Sequence, residues 1–268
     1  MKYIRYILCI LLILVVIGLM AYQEFVTHDL DSFNMVRGAL IILAAVSTML
    51  KKTTGEKIAN KKAFYQKAFP EFIQEPFAQD PKLEKKFYEA VHMFSQGKPA
   101  SAVSALEKLR MECTSTAELW PVTVFTAMAL SGVGHYQNAL EKFDAARKIR
   151  DYSSLASKMG LCCHRLGRTG EAAKYYEEAI AMDSSNAVAY NNLSALQFSM
   201  GDYENALASA QDALEINGQL PQALGTAAIC AKLLGDEEEY DHYYRRAVAA
   251  GYDGKKIKNA LRQLNSKL

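Results

Sequence analysis

Glycines at 97, 134, 167, 201 and 235 recur at intervals of 37, 33, 34 and 34 residues. Four of them are followed five places later by an alanine: Ala102, Ala139, Ala172 and Ala206. A second alanine register, Ala146, Ala179, Ala213 and Ala247, falls twelve residues after the last four glycines. A period near 34 specifies a stack of helical hairpins, because one hairpin cannot bury its apolar face without a neighbour. Such a stack presents an extended surface suited to holding another protein.

Each recurring residue type has a physical reason. Glycine ends the first helix of a hairpin and permits the left-handed cap that reverses the chain. Tyr136 and Tyr203, just past the turn, supply rings that wedge the paired helices at a fixed angle. The first alanine register lets paired helices approach closely, and the second admits the next hairpin. This reading predicts an all-α solenoid of five units, at about 83–119, 120–152, 153–186, 187–220 and 221–254. The end units depart from the pattern, with Pro99 and Leu109 in the first and Tyr240 in the fifth, as terminal repeats do. Beyond them Ile257, Ala260, Leu261, Leu264 and Leu268 share a helix face, which predicts a capping helix over residues 255–268.

The basic residues are unevenly placed. Residues 83–268 hold 21 Lys/Arg against 22 Asp/Glu, whereas residues 51–67 hold six lysines (Lys51, Lys52, Lys57, Lys61, Lys62 and Lys67) and one glutamate. A nearly neutral repeat region argues against nucleic-acid binding, which needs a basic stripe to displace counterions. Five cysteines with no C-x-x-C pair fit reduced thiols. The adjacent Cys162 and Cys163 point about 100° apart on a helix and are poorly placed to share a metal with His164. No cofactor is expected.

Residues 1–50 read as a membrane hairpin, with helices at about 4–22 and 33–50. The first has an uncharged core at residues 6–22, and the second spans if Arg37 snorkels to the headgroups. The loop between them carries Glu24, Asp29 and Asp31 and no Lys or Arg, while basic residues flank the hairpin on its other side. The positive-inside rule then puts both termini, and the repeats, in the cytoplasm. Residues 51–82 form a basic and aromatic linker containing Phe64, Tyr65, Phe69, Phe72 and Phe77. Its helix either lies on anionic lipid through residues 51–67 or docks on the first repeat as a cap. Ile58, Tyr65, Phe69 and Phe72 are expected on one face of it.

The fourth unit resembles the tetratricopeptide repeat closely, through Tyr190, Leu193, Gly201, Tyr203, Ala206 and Ala213. The third matches through Gly160, Gly167, Ala172, Tyr176 and Ala179, and the second through Gly134, Tyr136, Ala139, Phe143 and Ala146. The resemblance implies a concave groove lined by the first helices, which holds a peptide or a helix of a partner protein. Carried over by position, the groove residues are Met128; Ser157, Leu161, His164 and Arg165; Asn191, Asn192 and Phe198; and Ile229 and Lys232. Asn191 and Asn192 offer carboxamides to a peptide backbone, and Arg165 offers a fork to a carboxylate. The two-carboxylate clamp of chaperone-tail adaptors does not fit either register of the array. With dispersed histidines, no phosphate loop and no H-E-x-x-H motif, catalysis is not expected.

The leading expectation is a membrane-anchored, cytosol-facing scaffold that binds a protein. Two alternatives stand beside it. One is an extracytoplasmic repeat domain tethered by a single helix. The other is a regulatory subunit of a membrane enzyme, with residues 64–77 competing for its own groove.

Overall fold

The beat of glycines is a beat of left-handed helix caps. In the computed structural model, which describes residues 62–67, 69, 77 and 80–265, the five turn glycines have φ between +70° and +86°. After each, the next N–H donates to the carbonyl five residues back: Lys98 to Met93, His135 to Leu130, Arg168 to Cys163, Asp202 to Gln197 and Asp236 to Ala231, at 2.9–3.0 Å. This is the Schellman closure, repeated once per hairpin. A side chain at φ near +80° is strained, so the period is written in the only residue type that tolerates it freely.

The hairpins are α1 (Pro81–Ser95) with α2 (Pro99–Arg110), α3 (Thr116–Gly132) with α4 (Tyr136–Ile149), and α5 (Ser153–Arg165) with α6 (Thr169–Met182). Then come α7 (Ala187–Met200) with α8 (Tyr203–Ile216), α9 (Pro221–Leu233) with α10 (Glu237–Ala249), and finally α11 (Gly254–Asn265). Helix starts are set by short polar side chains. Asp80 accepts from the N–H groups of Lys82 and Leu83, Asp202 from Asn205, and Asp236 from Glu239. Ser115 and Glu118 form a reciprocal capping box at the start of α3. That box begins the second hairpin at Thr116, earlier than residue 120 expected from the glycine spacing. It makes α3 17 residues long against 13, 14 and 13 for α5, α7 and α9, which accounts for the long first interval of the beat.

Both alanine registers are fully buried: Ala102, Ala139, Ala172 and Ala206, then Ala146, Ala179, Ala213 and Ala247. Larger side chains fill the layers between them, including Phe87, Phe125, Phe143, Leu155, Tyr176, Leu196 and Leu224. Burying one such side chain contributes about 1.5–3 kcal/mol. Polar ties between neighbouring units recur at the repeat spacing. Arg147 of α4 bonds Glu178 of α6 at 2.6 Å, Asn186 donates to Ser153 at 2.6 Å, and Gln211 of α8 donates to Tyr243 of α10 at 3.1 Å. The Trp120 indole N–H donates to the Arg150 carbonyl at 3.1 Å. At the far end Ile257 of α11 is buried against the last hairpin, with Ala260, Leu261 and Leu264 packed on the same cluster.

The spans expected over residues 4–22 and 33–50, and most of the basic linker, lie outside the described residues. Among the described residues no helix is long and apolar enough to cross a membrane. Residues 62–67 are helical and belong to a compact unit ending at Ala68, whereas Phe69 lies outside that helix in the second unit. The single helix face expected to carry Tyr65 together with Phe69 is therefore broken before Phe69.

Candidate binding groove

First helices touch first helices of the next hairpin: α1 with α3, α5 with α7, and α7 with α9. Second helices reach one another through long side chains, as in Arg147–Glu178 and Gln211–Tyr243, while their backbones pack in the crevices between first helices. Elements that touch on one side and splay on the other build a curved stack, concave on the side of α3, α5, α7 and α9. This geometry comes from the small residues of the repeat, which fix how near each pair of helices lies.

Two rows of residues, ten and nine positions before each turn glycine, follow this inner layer. They read Phe87 and Tyr88, Val124 and Phe125, Ser157 and Lys158, Asn191 and Asn192, then Gly225 and Thr226. The row changes character along the stack. Phe87, Val124 and Phe125 are 0% exposed. Over them lie two aromatics of the linker, Phe69 with its ring centroid 5.3 Å from Phe125 and Phe77 5.1 Å from Phe87. Phe87 and Phe125 are themselves 5.5 Å apart and edge-on, so four rings form one cluster at the head of the inner face. Phe69 and Phe77 thus cover Phe125 and Phe87 at the head of the inner face, and from α5 onward the row residues are polar or glycine.

Beyond that head the predicted residues divide into groups. Leu161, His164, Asn191, Asn192 and Phe198 are half-buried, Arg165 is exposed, and Met128 of α3 is half-buried at the edge of the covered region. Ser157 is buried and accepts a hydrogen bond from the Asn192 carboxamide at 3.3 Å, which ties α5 to α7 across the groove floor. One unit earlier the Cys162 thiol donates to Ser131 at 3.8 Å, a matching bridge between α5 and α3. Asn192 and Ser157 are thus engaged in joining helices, which leaves Asn191 as the available carboxamide of the pair. Ile229 sits in the buried cluster with Leu224, Tyr243 and Ile257, so its side chain is core and not lining. Lys232 is ion-paired with Glu237 at the start of α10 and lies over the Tyr240 ring at 5.1 Å, which draws it away from the groove. Phe198 stacks on Tyr203 at 5.7 Å within its own hairpin.

Arg110 pairs with Glu107, Arg147 with Asp151 and Glu178, and Arg168 with Gln137, whereas no described acidic residue pairs with Arg165. Burial, and then the Arg165 charge beside it, holds the His164 imidazole below its ordinary pKa. Burial pushes the Cys163 and Cys230 thiols up to about 11 and about 12. Protonated, buried thiols are poor nucleophiles and behave as small core side chains. No cluster of three potential metal ligands occurs among the described residues. Spacing alone did not reveal the helix-joining roles of Ser157 and Asn192, because a bridge between residues 35 apart depends on how adjacent hairpins stack.

Residues 151–219 match the sequence profile of the tetratricopeptide repeat. The fold is shared with solved structures of low sequence identity. MamA from Desulfovibrio magneticus RS-1 is 16% identical, with a TM-score of 0.52 over 63% of this chain and 95% of that one. TTC0263, a thermophilic tetratricopeptide-repeat protein of Thermus thermophilus, is 16% identical, with a TM-score of 0.55 over 68% and 97%. The Cut9–Hcn1 hetero-tetramer of the APC/C gives a TM-score of 0.62 at 14% identity, over 78% of this chain and 40% of the matched one.

Proposed function

We propose that this chain is a membrane-anchored scaffold whose tetratricopeptide repeats face the cytoplasm and hold a peptide or helix of a partner protein. The observation that carries the reading is the state of the inner face between α5 and α9. There Asn191 and Arg165 are left without protein partners among the described residues, while Asn192 and Ser157 beside them are engaged with each other. An available carboxamide and an available guanidinium on one concave face are suited to a ligand backbone and a ligand carboxylate. The anchor and its orientation rest on the apolar and charge pattern of residues 1–62.

Two measurements test this. A photo-activatable residue in place of Leu161 should crosslink a partner protein in native membranes, and the same residue in place of Lys174 on a second helix should not. Equal crosslinking at both places would sink the groove assignment. For topology, Met111 is 79% exposed, so Met111→Cys supplies an accessible thiol. A membrane-impermeant maleimide should label it only after permeabilisation. Labelling of intact cells would instead favour the extracytoplasmic arrangement.

A further inference from the structure

From α3 to α10 the acidic residues are segregated by layer, whereas α1 at the head of the stack carries Glu84 and Glu89. The inner helices α5, α7 and α9 carry no Asp or Glu, and α3 carries only Glu118, which is buried in its capping box. The outer helices α4, α6, α8 and α10 carry 2, 3, 3 and 4 acidic residues. The charged side chains of the inner layer are Lys158, Arg165 and Lys232, with Lys232 drawn aside to Glu237. Folding does not require this partition, because surface acids and bases on a solenoid are interchangeable with respect to the core. It does place a positive, acid-free strip along the one face where the Asn191 carboxamide is available.

We infer that the groove between α5 and α9 takes an acidic segment of its partner, an extended peptide bearing Asp or Glu among apolar residues. One of its carboxylates is bound by Arg165 and its backbone by Asn191. This rests on the groove reading above and adds the chemistry of the occupant. The Arg165 guanidinium supplies a two-pronged donor that matches a carboxylate, and half-burial of its neighbours His164 and Leu161 lowers the local screening. Leu161, Ala195 and Phe198 provide apolar contact between the polar anchors. A basic or neutral segment would leave Arg165 desolvated and unpaired, which is the costly outcome.

The test pans a phage library of random twelve-residue peptides against the full chain. Parallel pannings use Arg165→Glu and, as a charge-matched control on an outer helix, Arg245→Glu. Peptides enriched on the parent and on Arg245→Glu should be net negative. They should lose about tenfold or more in affinity on Arg165→Glu and weaken as NaCl is raised. Enrichment of neutral or basic peptides, insensitivity to Arg165→Glu, or no enrichment at all overturns the inference. If the Leu161 crosslink is still found in any of those cases, the groove reading stands and only the acidic occupant falls. Self-association of the parent that Arg165→Glu abolishes would make the occupant the acidic outer face of a second copy, and would also overturn it.

Discussion

Replacing Gly160 by alanine should destabilise the repeat region, although the same change is favourable in most helices. A Cβ built on Gly160 lies 2.6 Å from Tyr176 Cε1 and 2.7 Å from Cδ1. Ordinary carbon contacts begin near 3.5 Å, so roughly 1 Å must open between α5 and α6. Tyr176 has no room to yield, since it is among the largest fully buried side chains. Overpacking of this kind costs about 1–3 kcal/mol, and alanine restores about 1 kcal/mol of helix propensity. The expected net loss is about 0–2 kcal/mol, so the informative quantity is the gap to a glycine-to-alanine change made without a clash. Gly170, in the first turn of α6, has nothing within 4 Å of the same built atom, so Gly170→Ala isolates the propensity gain. Urea unfolding monitored by circular dichroism should separate the two variants by about 1 M in midpoint, given a slope of about 2 kcal/mol/M. The double change Gly160→Ala/Tyr176→Leu should lose less than its two single changes summed, because removing the ring removes the clash. A midpoint for Gly160→Ala as high as that of Gly170→Ala would refute the argument that this glycine exists to seat the Tyr176 ring.

Trp120→Ala removes a side chain 4% exposed that ties the start of α3 to the end of α4 through the Arg150 carbonyl, and should cost about 3–5 kcal/mol by denaturant titration. Ser115→Ala should cost about 1 kcal/mol by breaking the capping box of α3, read in the same titration. The Thr114 backbone N–H and then burial act in opposite senses on Glu118, and the hydrogen bonds win, holding its carboxyl below the ordinary value of 4.5. The unfolded chain therefore binds this proton at higher pH than the native one does. The stabilisation is complete above about pH 5 and is lost as pH falls through the native value, and Glu118→Gln should flatten that part of the stability profile. The Tyr176 hydroxyl is buried without a hydrogen-bond partner, so Tyr176→Phe should be neutral or raise the midpoint, and a clear loss would show the hydroxyl to be engaged.

The architecture was largely legible from residue types at fixed spacing. A left-handed cap admits glycine almost alone, and close helix pairing admits alanine, so geometry leaves its mark directly on the chain at Gly134, Gly167, Ala172 or Ala206. The groove was legible only in part. Position assigned Arg165 and Asn191 to the inner face, and neither has a protein partner among the described residues. It also assigned Ile229, Ser157 and Lys232, whose side chains went to the core, to a helix bridge and to Glu237. Repeat register says which way a Cα–Cβ bond points, whereas the use of a side chain depends on which neighbours reach it. Likewise, spacing suggested one helical face for Ile58, Tyr65, Phe69 and Phe72 and left lipid contact and docking on the first repeat as alternatives, whereas packing sets Phe69 against Phe125 and Phe77 against Phe87.

What the sequence by itself determined is the hairpin, its period and the number of its repetitions, because these depend on local backbone strain and on the size of side chains at recurrent positions. The tertiary structure alone decided where the inner face is covered. At its head Phe125 and Phe87 are covered by Phe69 and Phe77, which precede them in the chain, and its polar anchors are sorted into engaged and available by bonds across 30 or more residues. Those choices are made between hairpins, where a helix meets partners that no local pattern names.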